Sequence, residues 1–333
     1  MKKFKFLTRT LAICLSLFLL IGCSSKTPQN DKPLDDGTWK PDHDITIRVP
    51  AGAGGAFDIA ARIFAKGVQE AFGTTVIVTN LTGAGGSIAA ADLNQHDPNP
   101  AEMMGGNIGM FTVAPLFSPD IAMNLDDYQI VTSLISDEYV ICTAPGNTNI
   151  KTWEDLVNYT KDNKLIVSTA SPGDTTHALM TALFGSAGID NYAIVTNDAG
   201  NQRLTSTVAG DVDITVVPAP VALQFVQEGS VMPIASFSNE PTTYFDGIVV
   251  PNVKSLGYDY VFRTNNFIMV RNGVDQKIVD EIANEYKAWQ DTEDFKALAK
   301  ESNFEPYTFD GETTTAEIKA AADMFKEIYN TYY

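Results

Sequence analysis

The residues best suited to chemistry in this chain lie in two glycine-rich turns. The first is Pro50-Ala51-Gly52-Ala53-Gly54-Gly55, and the second is Thr82-Gly83-Ala84-Gly85-Gly86-Ser87. Each follows a short apolar run that reads as a strand (residues 45–49 and 76–79), and each precedes a helical pattern. A glycine-lined strand-to-helix turn brings bare N–H groups to a helix N-terminus, where the dipole favours an anion. Two such turns suggest two jaws on one small acidic molecule. Gly54, Gly55, Gly83, Ala84, Gly85 and Gly86 supply the expected backbone contacts, and Ser87 the expected N-cap. Asp58, in the first helical turn, gains from the dipole in any case. It could also accept a hydrogen bond from a ligand hydroxyl, amine or water. Phe57 is the aromatic side chain best placed to stack on a ligand.

A second group comes later in the chain. Ser171-Pro172-Gly173-Asp174-Thr175-Thr176-His177 follows a strand pattern at 165–168 and opens a helix. Ser171, Thr175 and Thr176 read equally as helix caps or as ligand donors. His177 reads either as a partner for a second acid group or as a structural donor. Asp198 and Asn201 occupy the next turn of the same kind.

The elements that must position these residues alternate strand with helix from residue 45 onward, the pattern of an α/β fold with largely parallel sheets. Residues 59, 63, 64, 68, 71 and 72 recur at helical spacing, and Gly73 ends the run. Strands are expected at 103–106, 130–135 and 139–143, and residues 244–262 read as loop. Residues 138–239 make a βα set of their own. This predicts a second lobe inserted between the two parts of a first, 44–137 and 240–333, in the manner of a hinged clamp.

The N-terminus carries Lys2, Lys3, Lys5 and Arg9, then an apolar stretch too short to span a bilayer comfortably, ending Leu20-Ile21-Gly22-Cys23-Ser24. This resembles a bacterial lipobox. Residues 1–22 are therefore expected to be a cleaved signal, Cys23 the lipidated residue and 23–43 a polar tether. Cys142 is then the one thiol left in the folded part, which allows no disulfide framework and no cysteine metal site. The formal net charge of −18 argues against nucleic acid as a partner.

Enzymatic readings find little support. The first turn is not Gly-x-Gly-x-x-Gly, and no Gly-x-Ser-x-Gly elbow is present. His43, His96 and His177 are the three histidines, too scattered for a metal centre. No cofactor and no metal are expected.

Pro50 to Arg62, with Gly54-Gly55, Asp58 and Ala61-Arg62 in order, resembles the signature of the solute receptors of tripartite tricarboxylate transporters, the Bug family. Phe72-Gly73, Asn80 and the second glycine turn continue the resemblance, and looser matches extend across most of the chain. The resemblance implies a type II periplasmic-binding-protein fold, two α/β lobes closing on a ligand that is usually a carboxylate. It also implies a monomer, anchored outside the cytoplasm, that delivers its ligand to a permease of one large and one small subunit. A sensor fed by the same clamp is the alternative.

Overall fold

In the computed structural model, which describes residues 38–197, 199–302 and 306–333, the chain begins with β1 (Ile45–Val49), α1 (Ala56–Phe72) and β2 (Val76–Asn80). β1 alternates the fully buried Ile45, Ile47 and Val49 with Thr46 and Arg48, and Arg48 is buried too, so both faces of the strand are covered. α1 buries the stripe Ala60, Ile63, Phe64 and Val68 and leaves its charged face in water. It stops at Gly73, whose φ of 62° is left-handed. Next come α2 (Ser87–Leu93), β3 (Glu102–Asn107), α3 (Ile108–Thr112) and α4 (Ala114–Phe117).

β4 (Tyr128–Thr143) is a single strand of 16 residues. The two strands expected at 130–135 and 139–143 are continuous through Ser136-Asp137-Glu138, because one neighbouring strand pairs with all three residues and another takes over at Tyr139. After it run α5 (Trp153–Tyr159), β5 (Leu165–Thr169), α6 (Thr175–Ala187), β6 (Tyr192–Thr196) and α7 (Gly200–Ala209). β7 (Ile214–Pro218), α8 (Ala219–Gln227) and β8 (Met232–Ser236) complete this part.

Within the stretch read as loop, β9 (Thr242–Phe245) and β10 (Ile248–Val250) form an antiparallel hairpin around Gly247, whose φ is 73°. β11 (Arg263–Arg271) returns the chain to the main sheet, and α9 (Gln276–Trp289), α10 (Glu293–Glu301) and α11 (Gly311–Tyr332) finish it.

The pairing is mixed rather than largely parallel. β1 pairs in parallel with β2 and β3, and β5 with β6 and β7. Between these parallel groups stand β11 and β4, antiparallel to every neighbour. The first part of β4 pairs with β11, and its last five residues pair with β7. One core fills the space between α1, α9 and the β1 side of the sheet, where Phe64 meets Tyr286 edge-on at 4.8 Å. Another lies between α3, α6, α11 and the strands beyond.

The polar tether expected over 23–43 ends earlier. Trp39 donates its backbone N–H to the Glu281 carboxylate at 3.0 Å and packs against Phe72 at 5.1 Å. One aromatic residue is enough to dock this segment, and Trp39–Tyr333 form one compact unit. Cys23 and the expected signal lie outside the described residues.

Candidate ligand cleft

The first glycine turn is held by a buried carboxylate. Asp58 is only 2% exposed. Its Oδ2 accepts the Gly54 N–H at 2.8 Å and Arg62 Nε at 3.0 Å, while Oδ1 accepts Asn80 Nδ2 at 2.8 Å. Asn80 also donates to the Ala51 carbonyl at 2.9 Å, tying the end of β2 to the turn. Burial alone pushes the Asp58 carboxyl upward. The donors Arg62, Gly54 and Asn80 outweigh it and hold the group below the ordinary carboxylate value. Asp58 therefore shapes the turn from behind and does not form part of the cavity wall.

The same bonds change which backbone groups face a ligand. The Gly54 N–H is taken by Asp58, Gly55 donates to Gly52 O at 3.3 Å, and Gly86 donates to Gly83 O at 3.0 Å. The donors left toward the cleft include the first N–H groups of α1, at Ala56 and Phe57, which have no partner within the helix. Ser87 is not the N-cap of α2. Gly86 is, with φ 93°, and it offers no side-chain cap. Its φ is what favours glycine there, since an added Cβ would meet only the flexible end of the Met110 side chain. Phe57 is mostly core: it is 8% exposed and the far end of its ring lies against Gly105 of β3, while the residue still borders both cavities.

Two adjoining cavities, of about 1060 and 760 Å³, share Gly52, Phe57, Asp137 and Gly200 and form one cleft. Gly54 and Gly55 line the larger one; Gly83, Gly85 and Gly86 line the smaller, opposite Thr175 and Thr176. Ala84 belongs to the short 3-10 turn that leads into α2. The structure thus brings both glycine turns and the α6 turn to one opening.

The α6 turn is more self-contained than its hydroxyls suggest. Asp174 caps the helix through the Thr176 N–H at 2.8 Å and accepts the Thr176 hydroxyl at 2.6 Å. The same hydroxyl accepts the Ala170 N–H at 3.0 Å. Ser171 accepts the Asp174 N–H through its carbonyl. His177 is not among the residues that line either cavity. Its Nδ1 lies 2.9 Å from the Tyr333 hydroxyl, and its ring meets Phe117 edge-on. Burial lowers its pKa, opposed by the Asp174 charge. Asp198 lies outside the described residues.

The cleft also contains residues that sequence patterns did not single out. Arg203 of α7, 4% exposed, lines the smaller cavity and donates from Nη1 to Asn197 O at 2.6 Å. Arg263 of β11 lines the larger one. It donates to Ser136 Oγ at 3.2 Å and Ser136 O at 2.8 Å and lies 5.4 Å over the Tyr307 ring. Tyr139, Asp137 and Glu138 come from the middle of β4. Burial pushes the Tyr139 hydroxyl far up, assisted by Asp174, so it remains a neutral donor. The N-termini of α7 and α8 open here too, at Gly200-Asn201 and Ala219-Pro220. The Pro218-Ala219-Pro220 run after a strand was a readable sign of the latter.

Helix caps divide along the same line. α5, α9, α10 and α11 are capped by the side chains of Thr152, Asp275, Thr292 and Asp310. α1, α7 and α8, whose N-termini line the larger cavity, have Gly55, Ala199 and Pro218 at the cap and no side-chain bond. Their free N–H groups are few, since Gln202 of α7 already donates to Asn201 Oδ1 at 2.9 Å and Pro220 of α8 has no N–H, but none is taken by a capping side chain at Gly55, Ala199 or Pro218.

Residues 60–330 match the family model described as the tripartite tricarboxylate transporter family receptor. The chain belongs to that family. It is similar to the protein BugT of Bordetella pertussis, 24% identical over 274 residues, covering 79% of this chain and 81% of that one. Matching stretches cover between 38% and 81% of the relatives' own lengths. Among solved structures it resembles MatC of Rhodopseudomonas palustris with bound malate, at TM-score 0.72 and 18% identity, covering 87% and 99% of the two chains. It also resembles an R. palustris protein with adipate, at TM-score 0.75 and 18% identity, covering 88% and 98%. The fold is the two-lobed α/β clamp of this family, whose members are extracytoplasmic solute-binding receptors rather than enzymes. Among the described residues no cluster of metal-ligating side chains occurs, and no helix is long and apolar enough to cross a membrane.

Proposed function

We propose that this receptor captures a small organic acid between its lobes and hands it to a tripartite tricarboxylate-type permease with one large and one small subunit. The observation that carries the reading is the convergence of three uncapped helix N-termini, α1, α7 and α8, on a cleft that also contains Arg203 and Arg263. On a chain of net charge −18, such local donors are what an anion needs to bind at all. Each charge-assisted hydrogen bond contributes about 1.5–3 kcal/mol, so three or four supply much of the roughly 8 kcal/mol of a micromolar complex. Malate and adipate in two neighbours of the same fold support an acid as ligand.

The lobes are read as residues 44–137 with 240–333, and residues 138–239, joined by β4 and by the return into β11. Closure of one onto the other would bury the ligand and form one surface for the permease. Cys23, lipidated after removal of residues 1–22, would hold the monomer on the outer face of the cell membrane. The test is a thermal-shift series on the purified protein with di-, tri-, amino-substituted and aromatic carboxylates. A ligand at 100 times its Kd stabilises by about 2.7 kcal/mol. A flat response across the whole series refutes the acid reading, and a cell fraction in which Cys23→Ala stays membrane-bound refutes the anchor.

A further inference from the structure

Glu138 lies midway along β4, where the chain passes from the β11 side of the sheet to the β7 side. It is 8% exposed and forms part of the wall of the larger cavity. Its Oε1 is shielded from water and meets no hydrogen-bond donor among the described residues. The cation nearest in pairing is Arg263, its direct cross-strand partner. Opposite residues of an antiparallel pair project to the same face, so an ion pair here would be easy to make. It is not made. The Arg263 guanidinium is taken by Ser136 and by the Tyr307 ring instead. A carboxylate withdrawn from water with an empty acceptor is unfavourable unless a donor arrives to meet it.

We propose that the donor arrives with the ligand: an ammonium group that bonds to Glu138 while the acid end is held at the helix N-termini. The ligand class is then an amino-substituted acid rather than a plain diacid. This rests on the acid reading of the same cleft and narrows it. The arrangement is complementary at both ends. α1, α7, α8 and Arg263 supply positive potential for the carboxylate, and Glu138 supplies the negative counterpart on the same wall. A plain diacid would leave Oε1 unmet and add a second like charge beside it.

The experiment compares two matched pairs, aspartate with succinate and glutamate with glutarate, by calorimetry and thermal shift on the purified protein and on Glu138→Gln. In at least one pair the amino acid should bind about tenfold or more tighter than its partner, the difference between a charge-assisted and a neutral hydrogen bond. Glu138→Gln, which keeps shape and volume, should shrink that ratio to within about threefold. If the diacids bind as well as or better than their amino counterparts, the inference falls and the acid reading stands. A preference that survives Glu138→Gln also overturns it. If none of the four binds to either protein, the inference falls, and the wider carboxylate series decides separately whether the acid reading falls with it.

Discussion

The two sides of the cleft are lined in different ways. On the β1 side the contacts are backbone, set by glycines at φ 78° and 93° and fixed from behind by Asp58, Arg62 and Asn80. On the β7 side they are side chains, Arg203, Thr175 and Asp174, with Tyr139 from β4, and the α6 turn is already closed on itself. Backbone N–H groups recognise negative charge without regard to what carries it. Side chains discriminate, because each brings its own length, charge and tautomer. On the proposed function, one side would provide a general hold on an acid, and the other, with Glu138 between them, would determine which acid is kept.

The sharpest way to break this division is to remove the carboxylate behind the first turn. Asp58→Ala leaves the Gly54 N–H, Arg62 and Asn80 without their shared acceptor and should destabilise the ligand-free protein by about 2–4 kcal/mol in urea unfolding. A loss under about 0.5 kcal/mol would mean the turn holds itself. The same carboxyl fixes a pH dependence. Its folded pKa is below its ordinary value of 3.8, so its contribution is complete above that value and fades as pH falls through the folded pKa. The stability gap between wild type and Asp58→Ala should therefore be widest above pH 3.8 and narrow as pH falls through the folded pKa in acid unfolding curves.

Next in size is Gly85→Val. Gly85 has φ 60°, and an added Cβ meets only Ala114 at 3.6 Å, so the variant has space to fold but the wrong backbone preference. The turn should shift, and the roughly 2.7 kcal/mol of stabilisation from saturating ligand should be lost. An unchanged thermal shift would take the second glycine turn out of the site.

Smaller effects test the other side. Thr176→Val removes a donor to Asp174 and an acceptor for Ala170 and should cost about 1–2 kcal/mol in urea. If its principal role were ligand contact, affinity would fall and stability would not. Tyr333→Phe removes the hydroxyl on His177 and Thr181 and should cost no more than about 1 kcal/mol, with ligand affinity untouched. A fall in affinity would return His177 to the cleft.

The pattern of what was legible in the chain follows from range. The glycine turns, α1 and its stop at Gly73 are local events, written within a few residues, and they read directly. So does the signature Gly54-Gly55, Asp58, Arg62 and Asn80, although its purpose, a clamp beneath the turn, appears only in three dimensions. Arg263 reaches Ser136 from 127 positions away, and Tyr333 meets His177 across 156. No periodicity carries such pairings. β4 misread for a different reason: Ser136-Asp137-Glu138 looks like a break in an apolar strand, yet polar residues are tolerated where the strand borders a cavity instead of a core.

That uninterrupted β4 has a mechanical consequence. β4 pairs with β11 from Tyr128–Arg271 up to Glu138–Arg263 and with β7 from Tyr139 onward, so one continuous strand, and not a loop, joins the two parts of the sheet. A paired ribbon resists sliding of one strand past the other, since that breaks a whole ladder of bonds, but it accepts twist readily. Glu138 stands at the last position of the β11 ladder, one residue before pairing with β7 begins, so any twist of β4 at that junction would turn its side chain.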